Sequence, residues 1–293
     1  MFLKDYVNAT VTRFSGADLY FGHGTESALD DAVYLIYTTL GLDFDYDFES
    51  GDRVLTDSEL LELDKRVEQR VVQRRPVAYI VGEAWFCGQP YSVDERVLIP
   101  RSPIAELIQQ RFAPLLKSTP ESILDLCCGS GCIGIACALE FESAQVDLAD
   151  ISNDCLAVAT DNIRRHGTFD RVATIQSDLF SALAQNQYDL IVSNPPYVSQ
   201  EEIDDLPAEY RHEPAMALLS EDEGLAIPLQ ILRESREHLK TGGVLVLELG
   251  YSAEALAGRL PEIPFLWLEF SEGGDGVLAI TAEQLERYRE YLN

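Results

Sequence analysis

Apolar positions fall into two regimes along the chain. In the first part they repeat at helical spacing: Leu29, Val33, Ile36 and Leu40 share one face, and Leu60, Leu63, Val67 and Val71 share another. Thr56 and Glu59 form a capping-box pair ahead of the second run, and Pro76 closes that region. No strand–helix alternation occurs before this point. From Ala84 to Pro100 (AWFCGQPYSVDERVLIP), aromatic and β-branched residues mix with Gly88 and Pro90, which predicts a hairpin or short paired strands. Pro100 and Pro103 then bracket a turn before a helix starting near Ile104. Beyond it the pattern changes. Apolar runs at Ser122–Cys127, Gln145–Ala149, Val172–Gln176, Tyr188–Ser193 and Val244–Leu249 alternate with helical stretches, the signature of βαβ units and a parallel sheet. The last two runs, Phe265–Phe270 and Gly276–Thr281, are joined by a Gly-rich link too short for a crossover helix, so they are expected to pair antiparallel. The expected class is α/β: a seven-stranded Rossmann-like sheet behind a small helical domain. The expected divisions are residues 1–83, a linking hairpin over 84–103, and a main domain over 104–293.

Composition narrows the picture. The 293 residues are 46% hydrophobic, enough for one substantial α/β domain and a smaller one. No apolar run approaches the roughly 18–20 residues that span a bilayer. The opening MFLKDYVNAT lacks the charged start and apolar block of a secretory signal, so a cytoplasmic location is expected. Lys and Arg number 22 against 50 Asp and Glu, a formal net charge of −28. Such a surface repels phosphate backbones and attracts basic partners. Cys87, Cys127, Cys128, Cys132, Cys137 and Cys155 form no CxxC pair and have no suitably spaced histidine, so reduced thiols and no metal are expected.

The first predicted strand runs into DLCCGSGCIG, Asp125 to Gly134. Gly129, Gly131 and Gly134 match the G-x-G-x-x-G of dinucleotide sites, and Asp150 closes the next strand where a ribose-binding acid is expected. Taken alone, this pattern suits a nicotinamide enzyme as well as a methyltransferase. Charge separates the two. Asp125, four residues before the first glycine, would repel a pyrophosphate. It suits S-adenosylmethionine, which carries a sulfonium and an ammonium cation and no phosphate. Asp150 can accept from both ribose hydroxyls. Asp178, after the third strand, can reach the adenine edge, cap the next helix, or do both. Asp125 has its own bland reading as a helix cap.

Asn194-Pro195-Pro196-Tyr197 ends the fourth predicted strand, on the rim where open α/β sheets bind ligands. An amide or aryl amine nitrogen is a poor nucleophile because its lone pair is delocalised. Holding both its protons turns the lone pair toward a methyl donor. The Asn194 side-chain oxygen can accept one proton and the Pro195 carbonyl the other, with Pro195 and Pro196 stiffening the backbone. Tyr197 can stack on the planar group. Positioning and charge neutralisation then supply much of the rate, with no strong general base.

These segments resemble a known family. DLCCGSG, the acid ending the second strand, SDLF and VSNPPYV are similar to the HemK-like protein glutamine methyltransferases of the translation machinery, and the likeness covers nearly the whole chain. It implies a class I methyltransferase fold whose helical N-terminal domain recognises the substrate. It implies cofactor contacts at Asp125, Cys127, Gly129, Ser130, Gly131, Asp150, Ile151, Asp178, Leu179 and Asn194, and glutamine contacts at Asn194, Pro195, Pro196 and Tyr197. AWFCGQPYSVDERVLIPRSPIAEL and the segments Glu209 to Pro214 and Phe265 to Phe270 resemble the branch acting on large-subunit ribosomal protein uL3. The release-factor branch typically carries an RPDTE-like segment at Pro100–Glu106 instead. A basic ribosomal protein, free or in an assembling subunit, is therefore the expected partner, with no DNA and no membrane. Cys127 and Cys128 depart from the usual loop, where glycine or threonine often stands. NPPY also occurs in DNA and RNA amino-methyltransferases, which the acidic surface and the helical N-terminal domain disfavour.

His212, in EYRHEP, tempts a general-base reading, but ordering its loop or touching substrate fits better. Lys65, Arg66, Arg70, Arg74 and Arg75 form a basic stripe on one predicted helix. It reads as a solvated face, or more sharply as a contact for ribosomal RNA.

Overall fold

The computed structural model describes residues 1–183, 186–271 and 273–292. Four helices open the chain: α1 (Leu3–Ser15), α2 (Ala28–Leu40), α3 (Asp57–Val72) and α4 (Val77–Val81). Ser27 caps α2, and the Thr56–Glu59 capping box starts α3. Their inward faces, including Val7, Phe14, Leu35, Ile36, Leu63 and Val67, form one core. Pro76 stands at the N-cap of α4, so it begins a helix after the break that follows α3. Leu29 departs from the apolar-face reading: it is exposed on α2.

A hairpin follows, β1 (Glu83–Phe86) and β2 (Gln89–Ser92), turning at Cys87 and Gly88, both with positive φ. Next come α5 (Ile104–Gln109), β3 (Ser122–Leu126), α6 (Cys132–Glu140), β4 (Gln145–Asp150), α7 (Asn153–His166), β5 (Val172–Gln176) and β6 (Tyr188–Ser193). The chain ends through α8 (Gln200–Asp205), α9 (Ala226–His238), β7 (Leu239–Glu248), β8 (Leu266–Leu268), β9 (Val277–Thr281) and short terminal helices. Asn162 of α7, fully buried, clamps the hairpin: its Oδ1 accepts from Ser92 N (2.7 Å), and its Nδ2 donates to Ser92 O (3.1 Å) and to Ser130 O (2.9 Å).

The seven strands of the main sheet lie in the order β5-β4-β3-β6-β7-β9-β8. The first five run parallel, and β9 pairs antiparallel with both β7 and β8. One apolar cluster, with Ile123, Val146 and Val192, covers one face, and another, with Leu124, Ile191 and Leu245, covers the other. Continuously apolar strands are what such double cover requires. The strand β7 starts five residues earlier than its apolar run, because α9 passes into it directly and the exposed Thr241 and Gly242 extend it. The order reverses at β3. Leu126 pairs with Ala149 on one side and Ser193 on the other, so Cys127, Asp150 and Asn194 leave the sheet on one rim. No helix among the described residues is long and apolar enough to cross a membrane.

Candidate active site

That rim opens into a cavity of about 680 Å³. The glycine loop, the end of β4 with Asp150 and Ile151, and Ser177 to Leu179 after β5 form one side. Asn194, Pro196 and Leu98 to Ser102 line another, and residues from Ala215 to Glu221 roof it.

The loop's shape follows from its small residues. Cys127 and Gly129 both have positive φ, and Gly131 N-caps α6 in the left-handed region. A Cβ on Gly134 would lie 2.2 Å from Leu148 Cδ2 and 2.8 Å from Asp125 Cβ, so helix and strand meet too closely for any side chain there. At Gly129 a Cβ would meet nothing within 4 Å, because that position faces the opening.

Asp125 is 1% exposed. Its Oδ2 accepts from Gly134 N at 2.7 Å, so the carboxylate does cap α6. Its Oδ1 is buried with no hydrogen-bond partner. Burial, aided by the nearby Asp150 charge and opposed by the Gly134 amide, pushes its carboxyl up to about 7. Asp150 spans the loop: Oδ2 accepts from Gly129 N and Oδ1 from Ser152 N, each at 2.9 Å. Burial raises its carboxyl as well. Each of its oxygens retains a lone pair for a further donor. Asp178 is exposed and its side chain makes no hydrogen bond among the described residues. The turn is tied instead by Ser177, whose hydroxyl donates to Leu179 O (2.6 Å) and accepts from Ala182 N (3.0 Å). The helix-cap reading of Asp178 is thereby corrected. An orphaned carboxylate oxygen beneath the loop, side-chain-free space at Gly129 and a second acid across it fit a cationic nucleoside such as S-adenosylmethionine.

Asn194 borders the cavity, while Pro195 is buried. Tyr197 is not part of the lining: its hydroxyl donates to Glu248 Oε1 at 3.2 Å, and its ring packs against the Cα of Gly250, where a Cβ would come within 2.7 Å. Glu248, ending β7, was not singled out from the sequence. It is buried, and its Oε2 accepts from Ser102 Oγ at 2.5 Å. Burial raises its carboxyl, against the opposing pull of Ser102, Tyr197, Arg101 and the Asn194 side chain. A carboxylate can only accept, so Glu248 beside the Asn194 side chain favours its N–H end and the orientation in which the carboxamide oxygen is free for the cavity. The available signal was an acid closing an apolar strand, the same position that Asp150 holds.

The segment after α8 is anchored to the rest of the molecule by two buried glutamates. Glu209, with no exposed surface, accepts from Arg70 Nη1 (3.1 Å), Arg74 Nε (2.9 Å) and Tyr20 N (3.0 Å). Glu213 takes Arg101 through both oxygens (2.5 and 2.8 Å) and Ile99 N (3.1 Å), with His23 Nε2 at 3.6 Å. The Arg101 guanidinium holds the Glu213 carboxyl down at about 2 in spite of burial. His212 gives its Nε2 to Gln73 O at 2.8 Å, a loop-ordering contact on the end of α3.

The basic stripe divides: exposed Lys65 and the helix-spaced Glu62–Arg66 pair keep to the solvated-face reading, while Arg70 and Arg74 turn inward and the RNA-contact reading is corrected. Arg70 is 2% exposed and bonded to Asp31 and Glu209, Arg74 joins Glu209, Arg75 pairs with Glu95 and Arg66 with Glu62. Of the five, only Lys65 remains as an exposed cation without an ion pair among the described residues. Arg70 and Arg74 join the helical region to the main domain through Glu209, Arg75 reaches the linking segment, and Arg66 stays within α3. All six cysteines are free thiols.

Comparison with known proteins agrees with this geometry. The model of the methyltransferase small domain matches residues 107–251, and that of the PrmC N-terminal domain matches 19–82. A protein from Francisella tularensis named ribosomal protein uL3 glutamine methyltransferase is 45% identical over 291 residues, 98% of this chain and 92% of its own. A protein of the same name from Bordetella pertussis is 41% identical over 97% of this chain and 96% of its own. The crystal structure of the hMettl16 catalytic domain in complex with MAT2A 3'UTR hairpin 1 is similar in fold, with a TM-score of 0.51 at 15% identity, covering 94% of this chain and 90% of that one. With such identity sustained over nearly its whole length, the chain belongs to the protein glutamine methyltransferase family.

Proposed function

We propose that this enzyme transfers a methyl group from S-adenosylmethionine to the side-chain amide nitrogen of a glutamine in ribosomal protein uL3. The observation that carries the reading is Asn194, set on the sheet rim beside the cavity with a buried carboxylate behind it. The relatives' names point to the same substrate. A ribosomal substrate implies work in the cytoplasm, on the free protein or an assembling subunit, and the net charge of −28 favours encounter with a basic protein.

When bound, S-adenosylmethionine supplies a methyl group on a cationic sulfur. Asp125, Cys127, Gly129, Ser130 and Gly131 receive its amino-acid part, Asp150 its ribose, and Ile151, Asp178 and Leu179 border its base. The Asn194 oxygen accepts one proton of the target amide, and the Pro195 carbonyl accepts the other. The nitrogen lone pair then faces the donor, and one N–H proton leaves to solvent after transfer. Glu248 keeps Asn194 in the orientation that accepts. Tyr197 acts through that same carboxylate, which replaces the stacking role expected from the sequence. Residues 1–83 recognise the substrate protein, residues 84–103 link them to the catalytic domain, and residues 104–293 perform the chemistry.

Mass spectrometry of ribosomal proteins and release factors from a strain lacking this chain is the direct test. The expected result is one missing methyl group on uL3. A missing methyl group on a release factor, with uL3 unchanged, assigns the enzyme to the sister branch and refutes the proposal.

A further inference from the structure

A second concavity, about 1140 Å³, lies on the helical region between α2, the loop that follows it, and β1. Among the described residues no lysine or arginine lines it, whereas Asp30, Asp43, Asp45 and Glu83 do. Glu83 is paired with Arg165. Asp30, Asp43 and Asp45 are exposed and form no ion pair among the described residues. Between them Phe44 and Trp85 are 49% and 44% exposed, ring centroids 5.6 Å apart in an edge-to-face pair, beside the exposed Leu29. One polar atom in the lining, Thr38 Oγ1, is buried without a hydrogen bond among the described residues. His23 in the lining is the link to the active site: it stands 3.6 Å from Glu213, and Ala215 to Ala217 of the same segment roof the cofactor cavity.

We infer that this groove holds a basic segment of the protein substrate, with a lysine or arginine side chain against Phe44 and Trp85 and its neighbours facing Asp30, Asp43 and Asp45. The inference rests on the glutamine methyltransferase reading and names where the substrate is gripped away from the reacting amide. Charge selects the occupant. Carboxylates beside exposed aromatic faces complement a cation with an apolar stem. They repel a phosphate backbone, and a second copy carrying −28 would bring like charge to like.

Two measurements on the full chain test it. With purified uL3, Asp43→Lys/Asp45→Lys is expected to lower kcat/KM about tenfold, all of it in KM, with kcat and cofactor affinity unchanged. In a Trp267→Phe background, leaving Trp85 as the one tryptophan, an oligolysine peptide is expected to shift the Trp85 emission, and the double aspartate variant is expected to lose that shift. An unchanged KM together with an unchanged peptide response overturns the groove. A drop in kcat at constant KM also overturns it, as does a groove that proves to be a self-association surface. Groove-dependent oligolysine binding by an enzyme that leaves uL3 unmethylated keeps the groove and refutes the substrate assignment instead.

Discussion

Replacing Arg70 by methionine isolates the join between the helical region and the catalytic loop. The methionine keeps most of the stem volume and removes the guanidinium. Three contacts disappear: Nε to Asp31 Oδ2 (2.7 Å), Nη1 to Glu209 Oε1 (3.1 Å) and Nη2 to Tyr20 O (2.7 Å). Asp31, 3% exposed, is left without a cation, and Glu209 keeps Arg74 as its cation and the Tyr20 amide. Stranding a buried charge in this way costs about 3–5 kcal/mol, far more than an exposed pair is worth. Urea unfolding at pH 7, followed by tryptophan fluorescence, measures it. Trp85 reports from the hairpin and Trp267 from the far edge of the sheet. Asp31→Asn added to the variant removes the stranded charge and is expected to return about 1–2 kcal/mol. Turnover on a purified substrate falls as well, because Glu209 anchors the segment that goes on to roof the cavity. A loss below about 1 kcal/mol with normal turnover would falsify the buried-join account and return Arg70 to a solvated face.

Further predictions concern the site itself. Asn194→Ala and Glu248→Gln are each expected to lower kcat by at least about tenfold while leaving cofactor affinity near normal, since both act on the target amide; stopped-assay kinetics and calorimetry check this. Asp125 carries a raised carboxyl in the free protein, so charging it destabilises that form as pH rises toward 7, and a cationic ligand relieves the cost. Cofactor affinity is therefore expected to rise with pH up to about 7 and then level, with a proton released on binding at lower pH. Calorimetry in two buffers of different ionisation enthalpy reads that proton, and affinity constant from pH 5 to 8 excludes the coupling. Glu213 has the opposite sign: its depressed carboxyl stabilises the fold above about pH 4.5, and this is lost as pH falls toward 2. Glu213→Gln is expected to cost about 3 kcal/mol at pH 7 and progressively less in acid, seen as converging urea midpoints.

What the sequence revealed, and what it hid, divides by range. Apolar runs bounded by turns located every strand of the main sheet, most plainly the central β3 and β6, where a doubly covered parallel strand writes its burial in consecutive residues. The rim could be read too, since the runs that lead into Cys127, Asp150 and Asn194 end together wherever such strands lie side by side. Arg70 shows the limit. Its partners Asp31 and Glu209 are 39 and 139 residues away, and nothing in α3 distinguishes a guanidinium turned inward from one in water. Leu29 shows the converse, an apolar position at core spacing that the fold leaves open. Tyr197 followed the motif into the right neighbourhood, but its orientation is fixed by Gly250 and Glu248 across the sheet, which no local pattern encodes.

The buried ionic contacts that fasten the segment after α8 all land on two glutamates four residues apart, Glu209 and Glu213. The strand ends of the donor-binding rim are set by register, while Glu213 holds Ile99 and Arg101 at the side of the same cavity. A helical module of different specificity could therefore be exchanged for this one by matching two acidic sockets, with the chemistry carried over intact. Diversification of targets within such enzymes then becomes a question of re-cutting a plug, and a chimera whose new module supplies two arginines to the Glu209 socket and one histidine to the Glu213 socket is the minimal design.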